Sequence, residues 1–301
     1  PTRTTMNILE CILIDATTNV IKFTSNDMEL GIETIVEGEI IEKGKVAIEA
    51  KLFSEIVRRF PDNEVTISTD ANYTSLITCE KSKINIAGKS GEDFSFLPII
   101  DKDKMITISQ FNLKEIINQT IFSTAPNDNN KMMTGELFEV SDNTLKVVGL
   151  DGHRIAIRSI QLEGRADDVK AVVPGKTLQE ISKLMSTDAE NMVNIYFTNN
   201  HILFEFDNTI VVSRLIEGEY FKINQMLSSD YETKVVINKK EFIGSIDRAN
   251  LLITESEKKP IIINITDGSL EVTVNSSKGK FNEDINIKKE GKDLMIGFNP
   301  K

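Results

Sequence analysis

Asp151, Gly152, His153 and Arg154 place a carboxylate, an imidazole and a guanidinium in four consecutive residues, flanked by Leu150 and Ile155. As a tight turn, Gly152 would supply positive φ and Asp151 would cap backbone donors. The turn alone leaves His153 and Arg154 unexplained, whereas a mixed apolar and polar pocket would use both. Catalysis finds less support. His153 and His201 are the only imidazoles, and neither stands in a His-x-x-x-His or His-Glu-x-x-His arrangement. Gly-x-Ser-x-Gly elbows, Walker-type phosphate loops and Gly-x-Gly-x-x-Gly fingerprints are all missing. Carboxylates are plentiful, but no spacing singles out an acid–base pair. Two cysteines, Cys11 and Cys79, make neither a disulfide framework nor a four-cysteine zinc site. The expectation is a protein without catalytic residues, metal or cofactor.

The elements that would hold this tetrapeptide read as one unit between about residues 105 and 228. Leu113, Ile116, Ile117 and Ile121 have helical spacing, and strands are expected at 136–140, 144–148 and 154–160. A strand at Val172 and Val173 leads into a helix from Lys176 to about Met185, then three strands at 193–197, 202–206 and 210–216. Asp142-Asn143, Thr198 to Asn200 and Asp207-Asn208 are hairpin-type turns.

That unit is repeated. Lys45 to Ile56 lies over Lys170 to Ile181 at an offset of 125 residues, and Ile296 to Lys301 matches Val46 to Lys51 two offsets later. Lys114-Glu-Ile-Ile matches Lys240-Glu-Phe-Ile at an offset of 126. In the unit before, no helix is expected ahead of a strand at Ile8. In the unit after, a helix runs from Lys240 to about Leu252 and the second helix is missing. The 301 residues hold about 2.4 units, so three are expected in the intact molecule, with about 25 residues missing in front and about 65 behind.

A net charge of −11, from 35 Lys and Arg against 46 Asp and Glu, argues against nucleic acid unless charge is segregated. It is segregated. Lys51, Glu55, Arg58 and Arg59 share one face of the first helix, opposite Leu52, Phe53, Ile56, Val57 and Phe60. Lys176, Glu180 and Lys183 likewise oppose Leu178, Ile181 and Met185. The four helical segments carry nine Lys and Arg against five Asp and Glu, a balance of +4 within an acidic chain. One such face is an ordinary solvated surface. Its recurrence favours repeated units turning basic helices to a shared axis, for sequence-independent and salt-sensitive phosphate contact. No apolar run approaches the ~18 residues of a membrane helix, and the expectation is a soluble protein of a reducing cytoplasm.

Val148 to Ala156, with its Asp-Gly-His-Arg core, resembles the signature of the middle domain in bacterial sliding clamps, the beta subunit of DNA polymerase III. Thr134 to Glu139, Val173 to Lys176, Ser213 to Tyr220 and Ile296 to Pro300 are similar to that family in order and spacing. The resemblance implies an α+β fold of three repeated clamp domains, each with two helices packed on antiparallel sheets. The limits expected here are 1–103 (N-terminal part missing), 104–229 and 230–301 (C-terminal part missing). It implies a non-catalytic processivity factor, a head-to-tail homodimer closing a ring around double-stranded DNA. Its clients would be the replicative polymerase, the clamp loader, repair polymerases and mismatch-repair proteins, with no membrane partner. Residues facing DNA would be Arg58, Arg59, Lys114, Lys176, Lys183, Lys240 and Arg248. A client-peptide pocket would comprise Met133, Leu150, Gly152, His153, Arg154 and Ile155, with Phe221, Gln225, Met226 and Asn299. Phe221 stands where some family members have Pro. For the dimer interface the resemblance points to Ile84 and Ile86 on an edge strand, meeting Leu251 and Leu252 of the partner. The rival expectations are a monomeric repeat scaffold that binds proteins but not DNA and, more distantly, a carboxylate-dependent hydrolase.

Overall fold

In the computed structural model the described residues are 6–164, 166–227, 230–254 and 259–299. They fall into two compact units, 1–220 and 221–301. The first unit opens with a 3-10 turn, Asn7–Glu10, followed by strands β1 (Cys11–Asp15), β2 (Ile21–Asn26), β3 (Leu30–Val36) and β4 (Lys45–Glu49). Helix α1 (Ala50–Arg59) and strands β5 (Thr66–Thr69), β6 (Thr74–Cys79) and β7 (Ser82–Ser90) complete its first repeat. The second repeat runs β8 (Met105–Ser109), α2 (Gln110–Thr120), β9 (Gly135–Ser141), β10 (Thr144–Leu150) and β11 (Ile155–Gln161). It continues with β12 (Val169–Pro174), α3 (Gly175–Leu184), β13 (Met192–Phe197), β14 (His201–Phe206) and β15 (Thr209–Arg214). The strand-to-helix step β4–α1 recurs as β12–α3, as the 125-residue offset requires.

Eleven strands form one sheet in the order β5-β6-β7-β4-β1-β2-β3-β15-β14-β13-β8. Its two halves come from different repeats, and they meet where β3 pairs antiparallel with β15, Leu30 opposite Ser213 through Thr34 opposite Thr209. Leu30 and Ile32 from the first repeat pack on the core of the second, a cluster that includes Leu113, Phe138, Phe204 and Val211. A connecting segment crosses the same junction. Leu97 and Ile100 pack on Tyr196, Leu203 and Val212, Asn26 Nδ2 donates to Ser95 O at 3.1 Å, and Lys102 Nζ reaches both oxygens of Glu205 at 2.8 and 2.9 Å. A separate four-stranded sheet, β11-β10-β9-β12, carries the Asp151–Arg154 turn at the end of its β10–β11 hairpin.

Local chemistry explains the element ends. Glu49 accepts hydrogen bonds from the amides of Lys51 and Leu52 at 3.0 and 2.9 Å and caps α1, while Ser109 caps α2 through Asn112 N at 3.2 Å. Asp142 and Asn143 both take positive φ, 50° and 58°, and make the tight β9–β10 turn.

The second unit holds a short helix α4 (Ile223–Met226), β16 (Thr233–Ile237), α5 (Lys239–Asn250), β17 (Ile261–Thr266), β18 (Ser269–Ser276), β19 (Gly279–Gly291) and β20 (Leu294–Phe298). Its sheet order is β16-β19-β18-β17-β20. Ile261, Ile263, Leu270, Val272, Val274 and Ala249 form its core, and Asn238 caps α5 through the amides of Lys240 and Glu241 at 3.0 and 3.1 Å.

Several expectations are corrected. The segment at Ile8 is the 3-10 turn and the strand begins at Cys11, because Asn7 and Glu10 leave no apolar alternation there. A strand, β8, precedes α2; five residues before a Ser cap give too short a run to separate from the helix pattern. The helix around Leu113 ends at Thr120 and tightens into a 3-10 turn, Ile121–Ser123. Leu52 and Val57 are exposed on α1, with only Phe53 and Ile56 buried, so its apolar stripe is narrower than the sequence pattern suggests. Pro300 and Lys301, part of the repeat and family matches, lie outside the described residues.

One buried group breaks the apolar pattern. Glu136 on β9 is 0% exposed, and burial pushes its carboxyl from the ordinary 4.5 up to about 8, against a small opposing contribution from Thr120. The folded chain therefore keeps a proton that the unfolded chain releases, so stability falls as pH rises from about 4.5 to about 8. The shift corresponds to about 5 kcal/mol at most. Urea unfolding at pH 6 and at pH 9 should show a stability loss in the natural chain that Glu136→Gln lacks; equal loss in both would contradict the assignment. Leu113, also 0% exposed at the centre of the middle core, should cost about 2–5 kcal/mol when replaced by Ala, read from the same denaturation curves.

Candidate functional site

The tetrapeptide is a turn, and its side chains are held rather than free. Asp151 Oδ1 accepts from the amides of His153 and Arg154 at 3.1 and 3.2 Å, and the Asp151 amide donates to Arg154 O at 3.3 Å. Gly152 takes φ +83°, and a Cβ added there would sit 3.9 Å from Met133 Cε. Arg154 Nε donates to Asp151 Oδ2 at 3.0 Å. Its guanidinium lies over the ring of Phe122, 5.6 Å from the centroid. Partial desolvation works against the Asp151 charge, yet the two amides and the Arg154 guanidinium hold its carboxyl below the usual range.

Three chain segments thus converge in the first unit: Phe122 in the 3-10 turn after α2, Met133 in a second 3-10 turn (Lys131–Thr134), and residues 150–155. Ala125 N donates to Met133 O at 2.8 Å and ties the first two together. His153 and Arg154 are exposed, and Met133 and Ile155 are half-buried. Leu150 is 0% exposed, which corrects its place as a wall residue, since it supports the turn from inside. Phe122, 55% exposed, was not legible as part of this site, because the helical spacing counted its neighbour Ile121 as core. In the second unit Gln225 and Met226 are exposed on α4, Phe221 is half-buried just before it, and Asn299 is exposed after β20.

The basic helix residues divide by partner. Arg59 pairs with Glu55 at 3.2 Å, Lys176 with Asp27 at 3.2 Å and Lys183 with Glu180 at 2.8 Å. Arg248 makes two hydrogen bonds to Glu283, one of them at 3.1 Å, and holds that carboxyl below its usual range. Lys114 Nζ donates to Met185 O at 3.1 Å, between α2 and α3. Arg58 and Lys240 are exposed and make no ion pair with any described residue. An open groove of about 380 Å³ runs along α5 and β19, lined by Lys240, Gly244, Arg248, Glu283 and Asp284, a mixed-charge surface and not an apolar ligand cavity.

Of the interface residues, Ile86 is only 7% exposed and packs in the first core with Ile48 and Ile77. Ile84 is half-buried against the same cluster. Ser82 to Ala87 of β7 pairs with β6 on one side, and β4 reaches β7 only from Gly88 onward. Leu251 is 75% exposed, whereas Leu252 packs on the core of its own unit. Ile86 has little surface left to offer a partner, a correction that follows from its packing, whereas Leu252 is half-buried like Ile84. Among the described residues no group of three His, Cys, Asp or Glu side chains is placed to hold a metal ion, and no helix is long and apolar enough to cross a membrane.

Comparison with known proteins matches this chain to one family over nearly its whole length. Residues 1–98, 107–222 and 224–301 match the N-terminal, central and C-terminal domains of the DNA polymerase III beta subunit. The beta sliding clamp of Staphylococcus epidermidis is 35% identical over 309 aligned residues, covering 99% of this chain and 82% of the relative. The crystal structure of a putative DNA polymerase III beta subunit from Eubacterium rectale is 65% identical with a TM-score of 0.96, covering 100% of this chain and 82% of the other. The Bacillus subtilis DNA polymerase sliding clamp is 32% identical with a TM-score of 0.94 and the same coverage. This chain belongs to the bacterial DNA polymerase III beta subunit family, the beta sliding clamps.

Proposed function

We propose that this DNA sliding clamp, which has no catalytic activity of its own, receives its clients on the middle-domain turn and meets DNA with the exposed faces of its helices. The observation that carries the client reading is the convergence of Met133, Phe122 and the turn 151–155, where an apolar shelf stands beside a guanidinium fixed on two sides. Apolar anchors with a few polar fixings give modest affinities and let many partners compete for one site. On this reading the replicative polymerase, the clamp loader, repair polymerases and mismatch-repair proteins share it. Gly152, His153, Arg154 and Ile155 present the wall, with Leu150 behind it. Phe221, Gln225 and Met226 of the loop that follows, and Asn299, are proposed as further client contacts. The working domain limits are 1–103, 104–229 and 230–301, and the site of action is the bacterial cytoplasm, at the nucleoid.

The DNA reading assigns Arg58, Arg59, Lys114, Lys176, Lys183, Lys240 and Arg248 to the pore of a head-to-tail dimeric ring. Internal carboxylates already compete for four of these seven cations. Each phosphate contact is correspondingly weak, and a ring that holds DNA by closure gains mobility from weak contacts. The dimer would form through the open side of β7 around Ile84 and, on the partner, the exposed Leu251 and half-buried Leu252, with Ile86 as internal support.

Met133→Asp or Ile155→Asp should weaken binding of the cognate polymerase at least tenfold by surface plasmon resonance, while sedimentation shows an unchanged dimer; unaltered polymerase affinity would rule out this site. Arg58→Glu combined with Lys240→Glu should weaken binding to linear duplex DNA in low salt. The slope of log affinity against log salt should fall by about one per contact removed. A slope that stays the same would place both residues away from DNA.

A further inference from the structure

Behind the client turn lies a carboxyl that neither clamp closure nor client contact accounts for. Glu136 is 0% exposed, and neither of its side-chain oxygens has a hydrogen-bond partner of good geometry. It sits on β9 opposite Val173 of β12, three residues after Met133. Gly149, two residues before Asp151, is its neighbour on β10. A Cβ on Gly149 would lie 2.6 Å from Thr120 O and 3.3 Å from both Glu136 Oε1 and Thr124 Cγ2. Glycine is thus required there by the close approach of the α2 end and the carboxyl. Thr120 closes α2 just ahead of Phe122, and its hydroxyl already donates to Ile116 O at 2.8 Å. Tyr220 closes the first unit, donating through its hydroxyl to Val148 O at 3.1 Å, and burial, with the Glu136 carboxyl adding to it, pushes its phenol up.

All the segments that shape the middle-domain wall therefore reach this one group: the end of α2 before Phe122, the start of β9 after Met133, and the end of β10 before the turn. Thr120 and Thr124, Gly149, Val173 and Tyr220 surround it. Tyr220 is the titratable member of that set, and no Lys, Arg or His makes an ion pair with Glu136 among the described residues. A neutral acid fits such a place at modest cost. An ionised carboxylate there has no cation, and the hydroxyl beside it, that of Thr120, is already engaged with Ile116 O, so it relaxes by drawing in water, by turning that hydroxyl or by parting the segments that enclose it.

We propose that Glu136 is a positioning residue of the client site: as the neutral acid it lets the ends of α2, β9 and β10 close behind the Asp151–Arg154 turn, and loss of its proton to solvent releases them. The inference rests on the reading of that turn as the client site. Since burial holds the carboxyl near 8, the client-competent fraction declines across the mildly alkaline range.

The test measures binding of the cognate replicative polymerase to the full-length clamp between pH 6.5 and 9. It compares the natural chain, Glu136→Gln, Glu136→Met and Ile155→Asp. If only the neutral form binds, natural-chain affinity falls by about tenfold from pH 7 to pH 9 relative to Glu136→Gln, which keeps a neutral side chain throughout. Glu136→Met is apolar, reports the same flat profile, and serves if the amide of Gln perturbs packing. Hydrogen exchange of the free clamp, at matched intrinsic rates, should show residues 121–125, 131–135 and 149–155 opening more at pH 9 in the natural chain alone. Matching pH profiles in the natural chain and both Glu136 variants, with Ile155→Asp unable to bind, would overturn the role of Glu136 and leave the client site standing. Binding by Ile155→Asp as tight as by the natural chain would overturn the client site itself. The exchange experiment then decides the role of Glu136 in holding the turn, and pH-independent exchange would refute it.

Discussion

Five residues of β3 paired with five of β15 join the two repeats of the first unit, and the common frame of those repeats depends on them. Leu30 to Thr34 and Thr209 to Ser213 belong to different repeats, and their ladder joins two half-sheets into one of eleven strands. Neither repeat then leaves an open edge at that junction, and Leu30 and Ile32 lend apolar surface to the core of the neighbouring repeat. The connecting segment reinforces the joint from outside through Leu97, Ile100 and the Lys102–Glu205 pair, with Tyr196 donating to the same carboxylate at 2.8 Å. Two repeats thus become one body, and α1, α2 and α3 are held on a common frame.

That frame gives the surface residues their meaning. A basic face on an isolated helix is unremarkable, but helices fixed to a continuous sheet present charge in a constant arrangement. Here most of the cations are partly answered by carboxylates of the same chain, as in Lys183 with Glu180 and Lys176 with Asp27. If these faces meet DNA as proposed, a protein that must hold DNA without stopping on it gains from this restraint, because exposed ion pairs are worth only about 0–1 kcal/mol. The four-stranded sheet shares its core with that frame, so the Asp151–Arg154 turn is presented at the end of a paired hairpin.

Much of this was legible in the residues. The 125-residue offset located the recurring strand-to-helix step, Asp142-Asn143 marked its hairpin, and Gly152 with Asp151 marked the turn. What escaped had physical causes. The apolar pattern of Leu52 and Val57 does not say which apolar residues a neighbour covers, and both remain exposed. Leu150 and Ile86 have the right types for a surface site, yet packing takes them inside. Phe122 matters because Arg154 reaches it from 32 positions later in the chain, a tertiary contact with no local signature. Glu136 sits in a strand where alternation treats Glu as outward-facing, and only the converging ends of α2 and β10 reveal that it is enclosed.

Topological retention is the property that defines a clamp, and it can be measured directly. The full-length protein is incubated with a bacterial clamp loader and ATP on nicked circular DNA, then passed through gel filtration in moderate salt before and after the circle is cut once. A sliding clamp stays with the circle and is lost from the linear form. Equal retention on both forms, or equal loss from both under conditions where a control clamp loads, would contradict encirclement and favour a scaffold that binds without enclosing DNA.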